Sequence, residues 1–484
     1  MSSLPPWLQQ LAPILALLAV IALVIARLPK VELGHSDAFR RRRFLNWFPL
    51  GLTYAFLYFG RYNLNEATSV IPGLTNQDFG VIFGAGTITY GVSFLLNGPL
   101  TDRLGGRFTI LLSAAGAAAA NLVLGLIVWA AATRGFQPPG GLVVSLSVVY
   151  AINMYFQSFG AVSIVKVNAH WFHVRERGVL GGVFGILISL GVYFAYDWSR
   201  FIVKALPVWW VFFIPAAILV VFWAIELALV RDTPSLAGHP DFDTADASSG
   251  DTGPRLSAID VFKKMLTNKV ILLILSIEFC SGFMRNAIMQ WGRKFAAQTD
   301  FHSAVFDNWG LVLCIAGILG GMFAGVISDR VFQSRRGPVS AVLYGGLTLG
   351  ALGCLFVLTV PGLLGWAVAF MSLCVIGVHG MLSGTASMDF GGKKNAGIAV
   401  GIIDGAVYGG TAFQSFLLGA VLPSGEAAKV ASNWINWPIA MLPVAVVGFL
   451  LTTRVWNAKP QRAGPAPAPP TVPPPAPSVE PQPG

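Results

Sequence analysis

Long apolar runs, broken by short polar segments, dominate the chain. They cover residues 7–28, 45–64, 79–100, 108–132, 142–165, 178–198, 208–230, 270–291, 309–328, 339–360, 363–387, 396–422 and 434–453. Each is long enough for a helix crossing a hydrocarbon layer about 30 Å thick. A helix satisfies its own backbone hydrogen bonds in lipid, so the pattern predicts thirteen spanning helices. The first run has no Lys or Arg at its head and is followed by Arg40-Arg41-Arg42-Arg43. It reads as an extra N-terminal span stopped by that basic cluster, not as a cleaved leader.

Polar composition then divides the chain. Residues 231–268 carry Thr233-Pro234, His239-Pro240 and four acidic residues between Asp241 and Asp251. This linker leaves six runs on either side. After Lys459 the chain is mostly Pro and Ala, the composition of a disordered tail. The expected plan is an N-terminal span with a basic segment (1–43), a six-helix bundle (44–230), a linker (231–268), a second six-helix bundle (269–456) and the tail (457–484). The fold class is an all-α membrane protein of two bundles in pseudo-two-fold repeat, plus the extra helix.

Charge refines this picture. Only 11% of residues are charged and 55% are hydrophobic, with a mean hydropathy of +0.68. Soluble domains carry about 25% charged residues. The net charge of +10 would suit nucleic acid, but its distribution follows the membrane instead. Loops on the face of Arg40–Arg43 hold 15 Lys and Arg; the opposite loops hold six, namely Arg134, Arg200, Lys204, Arg293, Lys294 and Lys429. The positive-inside rule places the basic face, the linker and the C-terminus in the cytoplasm and excludes a nucleic-acid role. Linker, tail and Arg27 at a helix end account for the remaining basic residues except two, Arg61 and Arg285, which fall inside spans. Cys280, Cys314, Cys354 and Cys374 sit in apolar runs as packing residues, so neither a metal nor a cofactor is expected. No nucleophile-base constellation suggests an enzyme.

The two halves repeat. Gly98-Pro-Leu-Thr-Asp102-Arg103-Leu-Gly-Gly-Arg107 follows the second core run, and Gly325-Val-Ile-Ser-Asp329-Arg330 follows the eighth. Asp102 and Asp329 are 227 residues apart, and Arg61 and Arg285 are 224 apart. Loop motif and buried arginine thus recur together. Glycine in the loop permits close helix packing, and Asp102, Arg103, Arg107, Asp329 and Arg330 offer a charge network that latches one conformation.

Five segments resemble the major facilitator superfamily, and more narrowly its organophosphate:phosphate antiporters, such as the bacterial glycerol-3-phosphate and hexose-phosphate exchangers. They are Tyr58-Phe-Gly-Arg61-Tyr-Asn63, the Asp102 loop, His170-Trp171-Phe-His-Val-Arg175-Glu176-Arg177-Gly178, Ser328-Asp329-Arg330 with Arg335-Arg336-Gly337, and Lys393-Lys394-Asn-Ala-Gly397. The resemblance implies a major facilitator fold with phosphate-binding arginines at Arg61 and Arg285 and pore-lining tyrosines at Tyr90 and Tyr408. It departs at Phe94 and Ile188, where the glycerol-3-phosphate carriers have a lysine and a histidine.

The residues support an anion site on their own terms. Arginine in hydrocarbon costs roughly 2.5–3.5 kcal/mol, so it normally faces the bundle interior with a task there. A guanidinium fork matches phosphate or carboxylate. Tyr54 and Tyr58 share a helix face with Arg61. Glu278 lies seven residues before Arg285, and Asp404 lies within an apolar run. Each carboxylate pairs with an arginine, meets a substrate hydroxyl or carries a proton. The reading is a monomeric transporter in the bacterial inner membrane that exchanges a sugar phosphate for inorganic phosphate by alternating access. Two alternatives are a proton-coupled symporter of a carboxylate anion and a transport-like membrane sensor of a phosphorylated metabolite.

Overall fold

The computed structural model describes residues 34–244, 258–332 and 336–457, with isolated positions between 14 and 22. At 174–175, 177–182, 258, 261, 264, 325–326, 328–330, 336 and 383–400 it describes the backbone alone. The predicted N-terminal span therefore lies outside the described residues, apart from helical positions at Ile14, Leu15, Leu18, Ala19 and Ala22. The Pro-rich tail also lies outside them.

The membrane helices are α1 (Asp37–Val70), α2 (Asn76–Leu104), α3 (Gly106–Arg134), α4 (Gly141–Trp171), α5 (Val174–Tyr193), α6 (Trp210–Leu229), α7 (Lys269–Asn286), α8 (Trp309–Val331), α9 (Arg336–Val357), α10 (Pro361–Val421) and α11 (Asn436–Arg454). A π turn at Phe194–Trp198 carries α5 on into Ser199–Ala205, and another at Ala287–Trp291 carries α7 into Gly292–Thr299.

The helical run of α10 cannot be one straight rod. Gly365 packs on Ser303 and Val305, and Gly419 packs on Gly80 and Asn76. Asn76 in turn bonds to Gln298, so both ends of α10 lie at the same membrane face. A straight helix would separate Gly365 from Gly419 by about 80 Å. The run therefore reverses and crosses twice. Nine described helices are long and apolar enough to cross a membrane. With α1, α8 and the second passage of α10, the described crossings number twelve, as the two six-helix bundles require.

Packing follows membrane rules. The outer surface stays apolar, with Val165, Leu349 and Phe356 among the most exposed side chains. Small residues set the closest helix approaches. Gly282 lies on the Val407 carbonyl and Gly410 on the Phe279 carbonyl, joining α7 to α10; Gly80 meets Gly419, joining α2 to α10. All four cysteines are buried and unbridged, in keeping with their reading as packing residues.

Two predicted loops turn out to be helix. Ser36 caps α1, so Arg40–Arg43 form its first turns. Arg42 donates to the Leu229 carbonyl at the end of α6 (2.6 Å), and Arg43 grips both Glu176 oxygens at the start of α5 (3.0 and 3.1 Å). The cluster thus staples three elements of the first bundle. The second case is Arg293 and Lys294, counted above as loop residues of the opposite face. The π turn extends α7 past them, and both are buried. The bundle therefore holds two further cations besides Arg61 and Arg285.

Candidate functional site

Arg61 is fully buried in the middle of α1, and a polar chain within the first bundle aims it. Its Nε donates to Oε1 of Gln157 (2.8 Å), whose amide donates to Asn153 Oδ1 (3.0 Å). Asn153 and Asn121 both donate to the Gly60 carbonyl (3.0 Å each), and the Tyr150 hydroxyl donates to the Arg61 carbonyl (3.0 Å). Buried polar groups must be paired, so this chain fixes backbone and side chain together.

Aromatic rings complete the setting. The guanidinium carbon lies 4.5 Å from the Tyr58 ring centroid and 4.4 Å from that of Tyr90. Nη2 donates to the Tyr90 hydroxyl (3.0 Å), and Nη1 donates across the bundle seam to the Tyr408 hydroxyl (3.3 Å). A guanidinium has five N–H donors, so two remain after these three bonds. Tyr54 stands one turn away, edge-on to Tyr58 at 5.3 Å and packed on Gly160.

Arg285 faces the same tyrosine from the other side, 5.9 Å from the Tyr408 ring centroid. It sits two residues before the π turn of α7, a distortion that recurs at functional sites. Unlike Arg61 it has no network: its buried Nε finds no hydrogen-bond partner among the described residues. Neither arginine forms an ion pair with a described carboxylate. Glu278, fully buried, instead pairs with Nδ1 of His379 at 3.2 Å, a partner that helical spacing does not reveal. Asp404 lies within electrostatic reach of both Arg285 and Glu278. Phe94 packs on Tyr90 at 4.7 Å, an apolar floor beneath the tyrosines. The arrangement offers one fixed and one uncommitted guanidinium, on opposite bundles, with tyrosine hydroxyls between them.

Of the loop residues, Asp102 is exposed and pairs with Lys166 of α4 at 2.7 Å. Arg107 donates to the Leu227 carbonyl (2.8 Å), and its backbone N–H donates to Asp232 (2.8 Å). Arg103 is exposed. These bonds stay within the first bundle and the start of the linker that follows it. The side chains of Asp329 and Arg330 lie outside the described residues.

The cross-bundle contacts on the far side of the site were not foreseen. Glu66 and Arg293 form a buried bidentate ion pair across the seam, with Nη2–Oε2 at 2.9 Å. Asn65 donates to Gln290 (2.8 Å), and Lys294 donates to Thr68 (3.0 Å). Asp197, on the π turn of α5, accepts the Gly310 and Leu311 N–H groups at the start of α8 (2.8 and 3.0 Å). Ser424, after α10, accepts the Asn76 N–H at the start of α2 (3.2 Å). Each bundle thus caps the second helix of the other. Among the described residues, every cross-bundle hydrogen bond other than Arg61–Tyr408 lies toward the opposite face. Toward the basic face, a Cβ added to Gly98, Gly185 or Gly321 would meet no atom of the described residues within 4 Å.

Comparisons with known proteins agree with this architecture. The family model described as Major Facilitator Superfamily matches residues 50–415. The chain is 26% identical over 445 residues to the glycerol-3-phosphate transporter of Bacillus subtilis, covering 87% of this chain and 94% of that protein. It is also 26% identical over 469 residues to a probable hexose phosphate transport protein of Chlamydia trachomatis, covering 90% and 94%. In structure it resembles a bacterial homologue of the human lysosomal transporter Spinster, with a TM-score of 0.66, 12% identity and coverage of 87% of this chain and 98% of that one. The chain belongs to the major facilitator superfamily, as a multi-pass membrane protein.

Proposed function

We propose that the protein exchanges an organophosphate, of the sugar phosphate class, for inorganic phosphate by alternating access. The observation that carries this reading is the convergence of Arg61 and Arg285 on Tyr408 from opposite bundles. A phosphate group bound to both guanidinium forks would join the bundles, and rocking one bundle against the other would carry it across. Phe94 and Tyr90 supply an apolar wall suited to the carbon skeleton of an ester. The names of the similar transporters support this class of cargo. The bonds on the opposite face hold that side shut, and by the positive-inside rule the open side is the cytoplasm of a bacterial inner membrane. Counterflow in proteoliposomes tests the proposal. Uptake of a labelled sugar phosphate driven by internal phosphate is expected, and its absence for every phosphorylated solute tried would overturn it.

The Glu278–His379 pair favours a second reading, proton-coupled symport of a carboxylate anion, because a buried carboxylate with an imidazole partner is a proton site. Uptake that ignores an imposed proton gradient excludes it.

A further inference from the structure

A short helix at the end of the linker takes no part in the central site. It covers Ala258–Thr267 and stops at Asn268, whose extended backbone separates it from α7 and whose side chain caps the Val270 and Ile271 N–H groups (2.9 and 3.4 Å). Helical spacing sorts its residues into two arcs. Ile259, Phe262, Met265 and Leu266 fall on one; Asp260, Lys263, Lys264 and Thr267 fall on the other. Among the described apolar side chains only Met265 is buried, in a cluster with Ile271 and Ile274 of α7 and Ile402 and Ile403 of the second passage of α10. Ile259 is 67% exposed, Leu266 39% and Phe262 37%. The helix thus rests on the second bundle by one edge of its apolar arc. Its setting is the membrane surface at the basic face, where α7 begins. The outer side of α7 stays apolar after it: Leu272 and Phe279, seven residues apart, are exposed, and the Phe279 ring meets that of Phe413, also exposed, at 6.1 Å. On the polar arc Lys263 and Lys264, with Lys269 at the head of α7, outnumber Asp260.

We propose that this helix lies in the headgroup layer of the cytoplasmic leaflet, with Ile259, Phe262 and Leu266 at the acyl boundary and its lysines against anionic lipid headgroups. An interfacial amphipathic helix sinks its apolar face about 5–10 Å into that boundary. Long lysine side chains at its border reach back to the charged layer, and Lys263 stands one turn from Ile259 on that border. Positive charge at this surface draws anionic lipid. Two observations select a lipid surface as the occupant: the excess of lysine beside an exposed apolar arc, and the continuation of that arc into the exposed apolar side of α7. The anchor has a mechanical consequence. Through Met265 it reaches α7, the helix that bears Glu278 and Arg285, and so fixes the depth of its cytoplasmic end in the bilayer. This holds whatever the cargo and whatever drives its transport.

The test uses the full-length protein in lipid vesicles, with a single added cysteine in each of Ile259→Cys, Phe262→Cys and, as the water-facing control, Asp260→Cys. The native cysteines are buried and unbridged, and the wild type gives the labelling background. A fluorophore on the added thiol is quenched either by iodide present on both sides of the membrane or by lipid brominated on its acyl chain. Labels at 259 and 262 are expected to be quenched by the brominated lipid and shielded from iodide, and the label at 260 the reverse. The contrast should be larger in vesicles of phosphatidylglycerol with phosphatidylcholine than in phosphatidylcholine alone, and Lys263→Glu with Lys264→Glu should remove that difference. Iodide reaching 259 and 262 as readily as 260 overturns the proposal, and so does a contrast indifferent to lipid charge. Shielding from iodide without quenching by lipid overturns it as well. Shielding that fades as the protein is diluted in lipid identifies a second copy as the occupant, and shielding lost on truncation after residue 457 identifies the Pro-rich tail. None of these readouts requires transport, so a failure of counterflow leaves the proposal standing.

Discussion

Tyr408 and Arg61, 347 residues apart, meet across the bundle seam through a hydrogen bond of 3.3 Å in which the guanidinium donates to the phenol. The same ring faces Arg285, so one side chain separates the two cations. Tyr408 is therefore placed to yield its bond to an anion that replaces it.

Replacing Tyr408 with Phe should leave the Arg61 Nη1 donor unpaired in the ligand-free protein. An unmet buried donor costs about 1–3 kcal/mol. The ligand-free protein should melt earlier, while anion binding, which restores the partner, should stabilise the variant more than the wild type. Thermal-shift curves with and without a sugar phosphate check this, and an equal ligand shift in both proteins contradicts it.

The arginines should behave differently on truncation. Arg61 is woven into the Gln157–Asn153 chain, whereas Arg285 makes no hydrogen bond through Nε. Arg61→Ala should lower the ligand-free melting temperature and abolish binding; Arg285→Ala should abolish binding at near-wild-type melting temperature. Gln157→Leu should weaken binding by about tenfold through misplacement of Arg61 while flux remains measurable. Equal destabilisation by both alanine variants would remove the asymmetry.

Breaking the Glu66–Arg293 pair should open the opposite face. Removing one partner of a buried ion pair costs about 3–5 kcal/mol because the other charge is stranded. That cost falls on the closed seam alone. Spin labels on positions 73 and 425 should report longer distances in Arg293→Ala, and the swap Glu66→Arg with Arg293→Glu should restore the short ones. Unchanged distances in Arg293→Ala count against a latch.

The loop at His302 should carry a pH signature. The Asp307 hydrogen bond, aided by the charges of Asp307 and Asp300, raises its pKa above the ordinary value of 6.5. A raised pKa means that the folded state holds the proton more tightly. The stabilisation is fully present below the unfolded value and is lost as pH rises through the raised one. Arg200 shares Asp307, so the loop's grip on α5 should weaken over the same window. The melting-temperature difference between wild type and His302→Gln should shrink from pH 5.5 to pH 8.5, and a constant difference is the contrary result.

Much of the site was legible in advance because the membrane makes polar residues conspicuous. Arg61, Arg285, Glu278 and Asp404 stand out in apolar runs by their charge alone. Gln157 does not, since a glutamine in a helix signals nothing until its partner is known. Nothing in the sequence links His379 to Glu278, and only the fold brings the two together. Arg293 and Lys294 were misassigned for a local reason. Two adjacent cations at the end of an apolar run look like a helix boundary, but the π turn shifts the register and carries them inside, where Glu66, Thr68 and Ser69 receive them.

Hydrophobic run length and charge asymmetry, read from the sequence alone, establish two six-helix halves, their repeat and the face that bears the basic loops. Those properties are local, and lipid enforces them one helix at a time. Tertiary structure decided which polar groups meet. The partners of Arg61 come from α2, α4 and α10, and the bonds that join the bundles on the opposite face link residues 107 to 348 positions apart. No periodicity along a helix encodes such pairings. They arise when small residues let particular helices approach closely and the buried donors and acceptors find their nearest complements.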